Sequence, residues 1–200
     1  MKSLPAFAAL PLLVILFAFT TSIKIGTTIA DFTLKNVDGK KLSTASYARN
    51  KGLIIVFTCN HCPFAKKYQQ RFNALNAKYT AQGFPLIAIS SNDFVSFPED
   101  SYDNMKARAK EEHYNFPYLY DETQSVAKTF GAARTPQAFV LQREDKNWVI
   151  RYSGAIDDNG AEPEKVTHAY VEDAVKALLQ NKPVQMPETK SIGCSIKFKN

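Results

Sequence analysis

LIIVFTCNHCPFAKKY, residues 53–68, opens as a strand and closes as a helix, with two cysteines at the junction. Leu53 to Phe57 is an unbroken apolar, largely β-branched run, the pattern of a strand buried on both faces of an α/β sheet. Beyond Pro63 the period changes. Phe64, Tyr68, Phe72, Leu75 and Tyr79 recur at steps of four and three, which predicts one buried face of a helix. Pro63 suits its first turn, and Gly83 suits its end. FPLIAIS, residues 84–90, is a second buried strand, so 53–90 reads as a right-handed βαβ unit with parallel strands. The cysteines therefore fall where a central strand ends and a helix begins, the edge at which open α/β sheets build their sites.

Two thiols at that place favour thiol chemistry. A helix N-terminus offers unpaired N–H groups and partial positive charge, which lowers a cysteine pKa from about 8.5 toward roughly 3.5–7.5. Cys59 is the expected nucleophile and Cys62 the thiol that resolves a mixed disulfide. Asn60 and His61 tune the couple, the imidazole toward the oxidising side. An inert disulfide is the competing reading, but so small a loop removes little unfolded-state entropy. Zinc needs four ligands, and beyond the pair only the scattered Cys194, His113 and His168 remain, so no metal is assigned.

The rest of the chain sets the compartment and the frame. Residues 1–22 pair Lys2 with a charge-free stretch from Leu4 to Phe19 and then Thr20, Thr21 and Ser22. That is the layout of a secretory signal, with an uncleaved N-terminal anchor as the alternative. Its apolar core of about 16 residues falls short of the roughly 20 that span a bilayer. Residues 23–182 form the expected domain and 183–200 an extended arm. Export favours a disulfide-permissive location, periplasmic or extracellular. Three cysteines leave one thiol over, Cys194. It is read first as a buried free thiol, with a resolving or docking role as the alternatives. The net charge of +6 is spread along the sequence without a basic run, which argues against nucleic acid as a partner.

DFTLKNVDGKKL alternates about Asp38-Gly39 as a β-hairpin does, and Ser43 or Thr44 caps a short helical turn. Helices are expected over 101–113, 122–130 and 163–179, the last burying Val166, Tyr170, Ala174, Ala177 and Leu178. Strands are expected over 118–120, 137–141 and 148–152. Thr135-Pro136, just ahead of a strand, is a candidate cis peptide. Facing the cysteine pair, it would leave a backbone edge free for a substrate peptide. Asp157, Asp158, Asn159 and Gly160 form a tight turn or, alternatively, a hard-cation site.

Strand, C-x-x-C, helix and strand, then Thr-Pro, hairpin and closing helix, resemble the thioredoxin fold. KIGTTIADFTLKNVDGKKLS resembles the N-terminal extension of redoxins, the AhpC/TSA and exported TlpA/ResA-like proteins. FTCNHCPF, SSND, GAIDDN, NKPV and SIGCSIK together resemble a peroxiredoxin-like family with a Cys-Asn-His-Cys-Pro centre. The resemblance implies a three-layer α/β/α sandwich with a central mixed sheet and an N-terminal β-hairpin extension. It implies a redox-active disulfide, Cys59–Cys62, with no other cofactor, and Thr135 and Pro136 in substrate binding. The partners it implies are a protein or small-thiol disulfide and a redox partner, membrane-bound in one arrangement. Departures exist. Leu53 stands where thioredoxin has its buried acid, so the proton relay must come from water or His61. The peroxiredoxin signature Pro-x-x-x-Thr-x-x-Cys is missing, with Ile55 and Cys59 at its first two positions. Arg134 resembles a peroxidase arginine or is a solvated loop residue. The leading function is extracytoplasmic thiol–disulfide exchange. Thiol peroxidase is second, and a Cu(I) carrier using the pair with His113 or His168 is third.

Overall fold

The structure, a computed structural model, describes residues 23–199; the expected signal or anchor, 1–22, lies outside the described residues. One mixed sheet runs through the molecule. Its strands are β1 (Thr28–Ile29), β2 (Thr33–Asn36), β3 (Lys41–Ser43), β4 (Gly52–Phe57), β5 (Leu86–Ser90), β6 (Tyr118–Tyr120), β8 (Gln137–Glu144) and β9 (Asn147–Gly154). They lie in the order β1-β9-β8-β4-β5-β6-β2-β3. Between β6 and β8, β7 (Arg134–Thr135) leaves this sheet and pairs with β10 (Cys194–Ser195). β4, β5 and β6 are parallel, as the βαβ reading requires, and the other pairings are antiparallel. The N-terminal hairpin forms about Asp38-Gly39 and extends the sheet through β6.

β4 shows why the sheet is central. Successive side chains point to opposite faces. Ile54 and Val56 join one core, and Leu53, Ile55 and Phe57 join the other. Each such buried side chain contributes about 1.5–3 kcal/mol. Among the described residues, five α-helices cover the sheet: α1 (Pro63–Lys66), α2 (Gln69–Tyr79), α3 (Tyr102–Glu111), α4 (Ser125–Phe130) and α5 (Tyr170–Leu179). Residues of α2, α3 and α5 pack on the first core, through Phe72, Leu75, Met105, Val171 and Leu178. α4 packs on the second through Val126, Ala127 and Phe130, joined by Phe32, Leu34 and Leu42. This is the expected three-layer thioredoxin-like sandwich.

Three helices depart from their expected spans: α4 begins at Ser125 rather than Glu122, after a left-handed Gln124, and two others differ further. The helix predicted from Pro63 to Gly83 breaks at Lys67 and Tyr68, where Tyr68 takes ψ −6° and its N–H reaches back to Ala65. The cause is distant: Tyr68 Oη bonds Asp157 and its ring lies under Arg71. Phe64 consequently turns outward, 43% exposed, instead of joining the buried face. The last helix starts at Tyr170 rather than Pro163. Thr167 N–H donates to Asp158 Oδ1 and His168 O accepts from Asp158 N–H, so those backbone groups serve a loop instead of a helix. Val166 is extended and outside the helix, Val171 and Val175 fill the buried face beside Ala174 and Leu178, and Ala177 is half-buried.

Candidate active site at the cysteine pair

The sheet register assembles the site. β4 and β8 are antiparallel with Phe57 opposite Gln137, so the segment just before Gln137 lies beside the segment just after Phe57. That sets Thr135 and Pro136 against Cys59, and the Thr135-Pro136 bond, a candidate cis peptide on sequence, is cis. Cys59 Sγ and Thr135 Oγ1 share a hydrogen bond of 3.2 Å. Cys62 Sγ lies 3.2 Å from Thr135 O. Both cysteines are buried, and with Ala65 they form a small apolar cluster beneath Cys194. Cys62 is the N-cap of α1 and Pro63 its first residue.

One participant escapes sequence reasoning. Asp100, fully buried, accepts from Asn60 N–H at 2.6 Å and His61 N–H at 3.2 Å through Oδ1. Its Oδ2 lies 2.5 Å from His61 Nδ1 and accepts from Asn92 Nδ2 at 2.7 Å. Asn60 is held at both ends of its amide, donating to Glu99 O and accepting from Tyr118 Oη. The His61 ring stacks on Phe97, with centroids 5.2 Å apart. The two residues between the cysteines are thus clamped by the loop 92–100. A Cys59, a His61 and an Asp100 ligand atom all lie within 4.8 Å of one another. A buried carboxylate therefore stands near the pair, supplied by this loop and not by position 53. Its only sequence signal is an acid in an otherwise polar loop some forty residues downstream.

The edge expected to be open for a substrate peptide is closed by the chain itself. β10 pairs antiparallel with β7, Cys194 opposite Thr135 and Ser195 opposite Arg134. Cys194 Sγ comes within 2.7 Å of Cys62 Sγ, longer than the 2.03–2.05 Å of a disulfide bond. All three cysteines are free thiols. Arg134 is exposed and donates to Gly193 O at 3.1 Å, so it holds the arm rather than facing a sulfur.

The three thiols divide one negative charge unevenly. A hydrogen bond from Cys59 brings the Cys62 thiol down to about 4 against the cost of burial, helped by Cys194 and by the N–H groups of Ala65 and Cys194. The same bond to Cys62 pushes Cys59 far above the usual thiol range, with burial and the Asp100 charge adding to it. Burial, then the hydrogen bond to Cys62, raises Cys194 to about 11. The motif alone places the stabilised thiolate on Cys59; here the Cys62 thiol is the one drawn down and the Cys59 thiol the one pushed up.

Other expected features resolve simply. Asp157 accepts from Tyr68 Oη at 2.8 Å and from Arg71 Nη1 at 2.6 Å, so the Asp157-Asp158 turn is tied by side chains of this chain. His168 stacks on Tyr170, and His113 ends α3 with a left-handed backbone. Neither belongs to a group of metal-ligating side chains among the described residues, where the one such group is Cys59, His61 and Asp100. The copper arrangement with His113 or His168 is therefore not assembled.

A model of the AhpC/TSA family matches residues 25–158. The chain is 23% identical over 130 residues to the thiol-disulfide oxidoreductase ResA of Bacillus cereus, covering 65% of this chain and 70% of that protein. It is 30% identical over 147 residues to the chloroplastic peroxiredoxin Q of Triticum aestivum, covering 70% of this chain and 61% of that one. Among solved structures, a hypothetical protein of Sinorhizobium meliloti 1021 superposes with a TM-score of 0.81 at 37% identity, covering 90% of this chain and 97% of that one.

Proposed function

The chain belongs to the AhpC/TSA family of thiol redox proteins, and within it we propose an exported thiol–disulfide oxidoreductase that works through Cys59 and Cys62. One observation carries the reading. Both sulfurs of a C-x-x-C pair pack on Thr135, beside a cis proline, at the N-terminus of a helix that follows a central parallel strand. Export is supported by the charge-free stretch of residues 4–19 behind Lys2.

The chemistry follows from the uneven charge. Cys59 loses its proton to solvent as it attacks and displaces one sulfur of a substrate disulfide, whose leaving thiolate takes up a proton. Cys62, already a thiolate near neutral pH, then attacks Cys59 Sγ, the mixed disulfide breaks, and the substrate leaves reduced with the pair oxidised. Run backward, the same steps donate a disulfide. Asp100 holds Asn60 and His61 fixed through both half-reactions.

Equilibration with glutathione buffers, followed by mass analysis of the peptide carrying residues 52–66, gives the potential of the pair. A value near −120 mV marks a disulfide donor and one near −270 mV a reductant. A pair that exchanges with neither form of glutathione overturns the reading. Peroxide reduction is the second reading, supported by the similarity to peroxiredoxin Q. Against it stand the missing signature and an Arg134 turned to Gly193 O. Rapid peroxide turnover by the reduced protein would establish it.

A further inference from the structure

The pair is buried, and the strand edge through which a peptide would approach it is filled by the chain's own arm. Substrate must either displace the arm or be reached through it. Four features bear on which.

The arm is built into the fold. Asp93 N–H donates to Lys197 O, and Lys197 N–H donates to Asn92 Oδ1. Gln124 donates to Lys197 O and accepts from Lys199 N–H, and Ile196 is buried in the second core. Asn92 also donates to Asp100, so the arm and the clamp on Asn60-His61 share a residue. Close approach is secured by Gly193: a Cβ there would overlap the Thr135 carbonyl. The arm delivers a sulfur, not merely a backbone, 2.7 Å from Cys62. Finally, Cys194 is the most exposed of the three cysteines, half-buried where the other two are buried.

We propose that Cys194 is a third redox thiol, which shuttles the disulfide between the buried pair and thiols in solution; the proposal rests on the oxidoreductase reading. In the oxidised centre the Cys194 thiolate attacks Cys62 Sγ of the Cys59–Cys62 bond. A Cys62–Cys194 bond forms, and Cys59 leaves as thiolate and takes the proton that Cys194 gave up. No electrons are gained or lost overall. An external thiolate then attacks the accessible Cys194 Sγ, giving a mixed disulfide at Cys194 and returning Cys62 to its charged state. A second external thiolate resolves that mixed disulfide, so the protein ends with three thiols and the solution thiols end as one disulfide. The reverse sequence loads the pair. Cys62 is suited to the middle of this relay because Cys194 Sγ already lies 2.7 Å from it, while Cys59 is its partner within the C-x-x-C pair.

Trypsin separates the partners, because Cys59 and Cys62 lie on peptide 52–66 and Cys194 on 191–197. Full-length protein is oxidised with oxidised glutathione, its free thiols are alkylated in acid, and the digest is mapped without reduction. Only monomer from a non-reducing gel is used. The expected result is a 52–66/191–197 cross-linked peptide with Cys59 alkylated, alongside the Cys59–Cys62 disulfide. Cys194→Ser should abolish the cross-link, keep the Cys59–Cys62 disulfide and slow exchange with glutathione about tenfold or more, the loss of an intramolecular partner. Absence of the cross-link, or a folded Cys194→Ser protein that exchanges as fast or faster, overturns the shuttle and makes the arm a cover; the oxidoreductase reading then stands. If the Cys59–Cys62 disulfide forms in neither protein at any glutathione ratio, both fail together.

Discussion

Replacing Asp100 by asparagine should make Cys59 more reactive while leaving Cys62 nearly as it was. The carboxylate sits within 4.8 Å of the Cys59 sulfur and raises its pKa by charge. At that distance two unit charges interact by about 3.5 kcal/mol at an effective dielectric of 20 and about 0.9 in bulk water. Removing the charge therefore lowers the Cys59 pKa by roughly 0.6 to 2.5 units. At pH 7 the thiolate fraction rises in proportion, but a less basic thiolate is a weaker nucleophile, with a Brønsted slope of about 0.4–0.5. The net gain in alkylation rate is about 2- to 30-fold. The introduced amide also keeps only one acceptor oxygen for the donors that the carboxylate serves. With the backbone N–H groups of Asn60 and His61 retained, its NH2 faces Asn92 Nδ2, which cannot flip without losing Lys197 N–H. Each buried donor left unpaired costs about 1–3 kcal/mol. Loosening alone would expose every thiol, so the informative quantity is the ratio of Cys59 to Cys62 alkylation, read by mass spectrometry on peptide 52–66. A folded Asp100→Asn protein in which that ratio is unchanged or falls refutes the charge argument.

Three further outcomes are expected. Absorbance of the reduced protein at 240 nm should show one thiolate persisting at pH 6 and titrating near 4, the other two ionising only in alkali. Because that folded pKa is depressed, its contribution to stability is full above the unfolded thiol value near 8.5 and gone below about 4; no thiolate at pH 6 would contradict it. Asp157→Ala leaves Arg71 without its carboxylate in a largely buried setting and should cost about 3–5 kcal/mol in urea unfolding. A loss below about 1 kcal/mol would refute the pairing argument, and a melting temperature raised by calcium in the native protein would favour a cation site at this turn. Gly193→Ala should detach the arm by overlap with Thr135 O, so that limited trypsin cleaves at Lys197 faster than in the parent; equal rates would show that the arm is held by its other bonds alone.

Local pattern was enough for the frame because its determinants are local. Leu53 to Phe57 reads as a two-sided strand since every residue in it is apolar, and both faces of β4 are buried. Gly83 ends its helix in the left-handed conformation, and Gly131 does the same after α4. Ser43 caps the short turn that its residue type predicts it to cap. What was not legible depends on partners far along the chain. Tyr68 breaks a helix whose periodicity continues unbroken, because Asp157 holds its hydroxyl. Glu162 to Ala169 has a helix-compatible sequence, but Asp158 takes its backbone groups first. The tail was legible as extended, since Pro183, Pro187 and Gly193 forbid a helix, but nothing in SIGCSIK states which edge it will join.

The same distinction applies to the chemistry. C-x-x-C at a strand–helix junction states that two thiols will meet, and it suggests that the first will carry the charge. In this protein the interaction between the two thiols themselves weighs most in the opposite sense, and two segments outside the motif add to it. Asp100, from the loop before α3, opposes charge on Cys59, while Cys194, from the arm, hydrogen-bonds to the charge on Cys62. They act on different sulfurs in the same sense, so their effects add and the thiolate is displaced by one helical turn from its expected place. They are also joined physically, since Asn92 donates to Asp100 and accepts from Lys197.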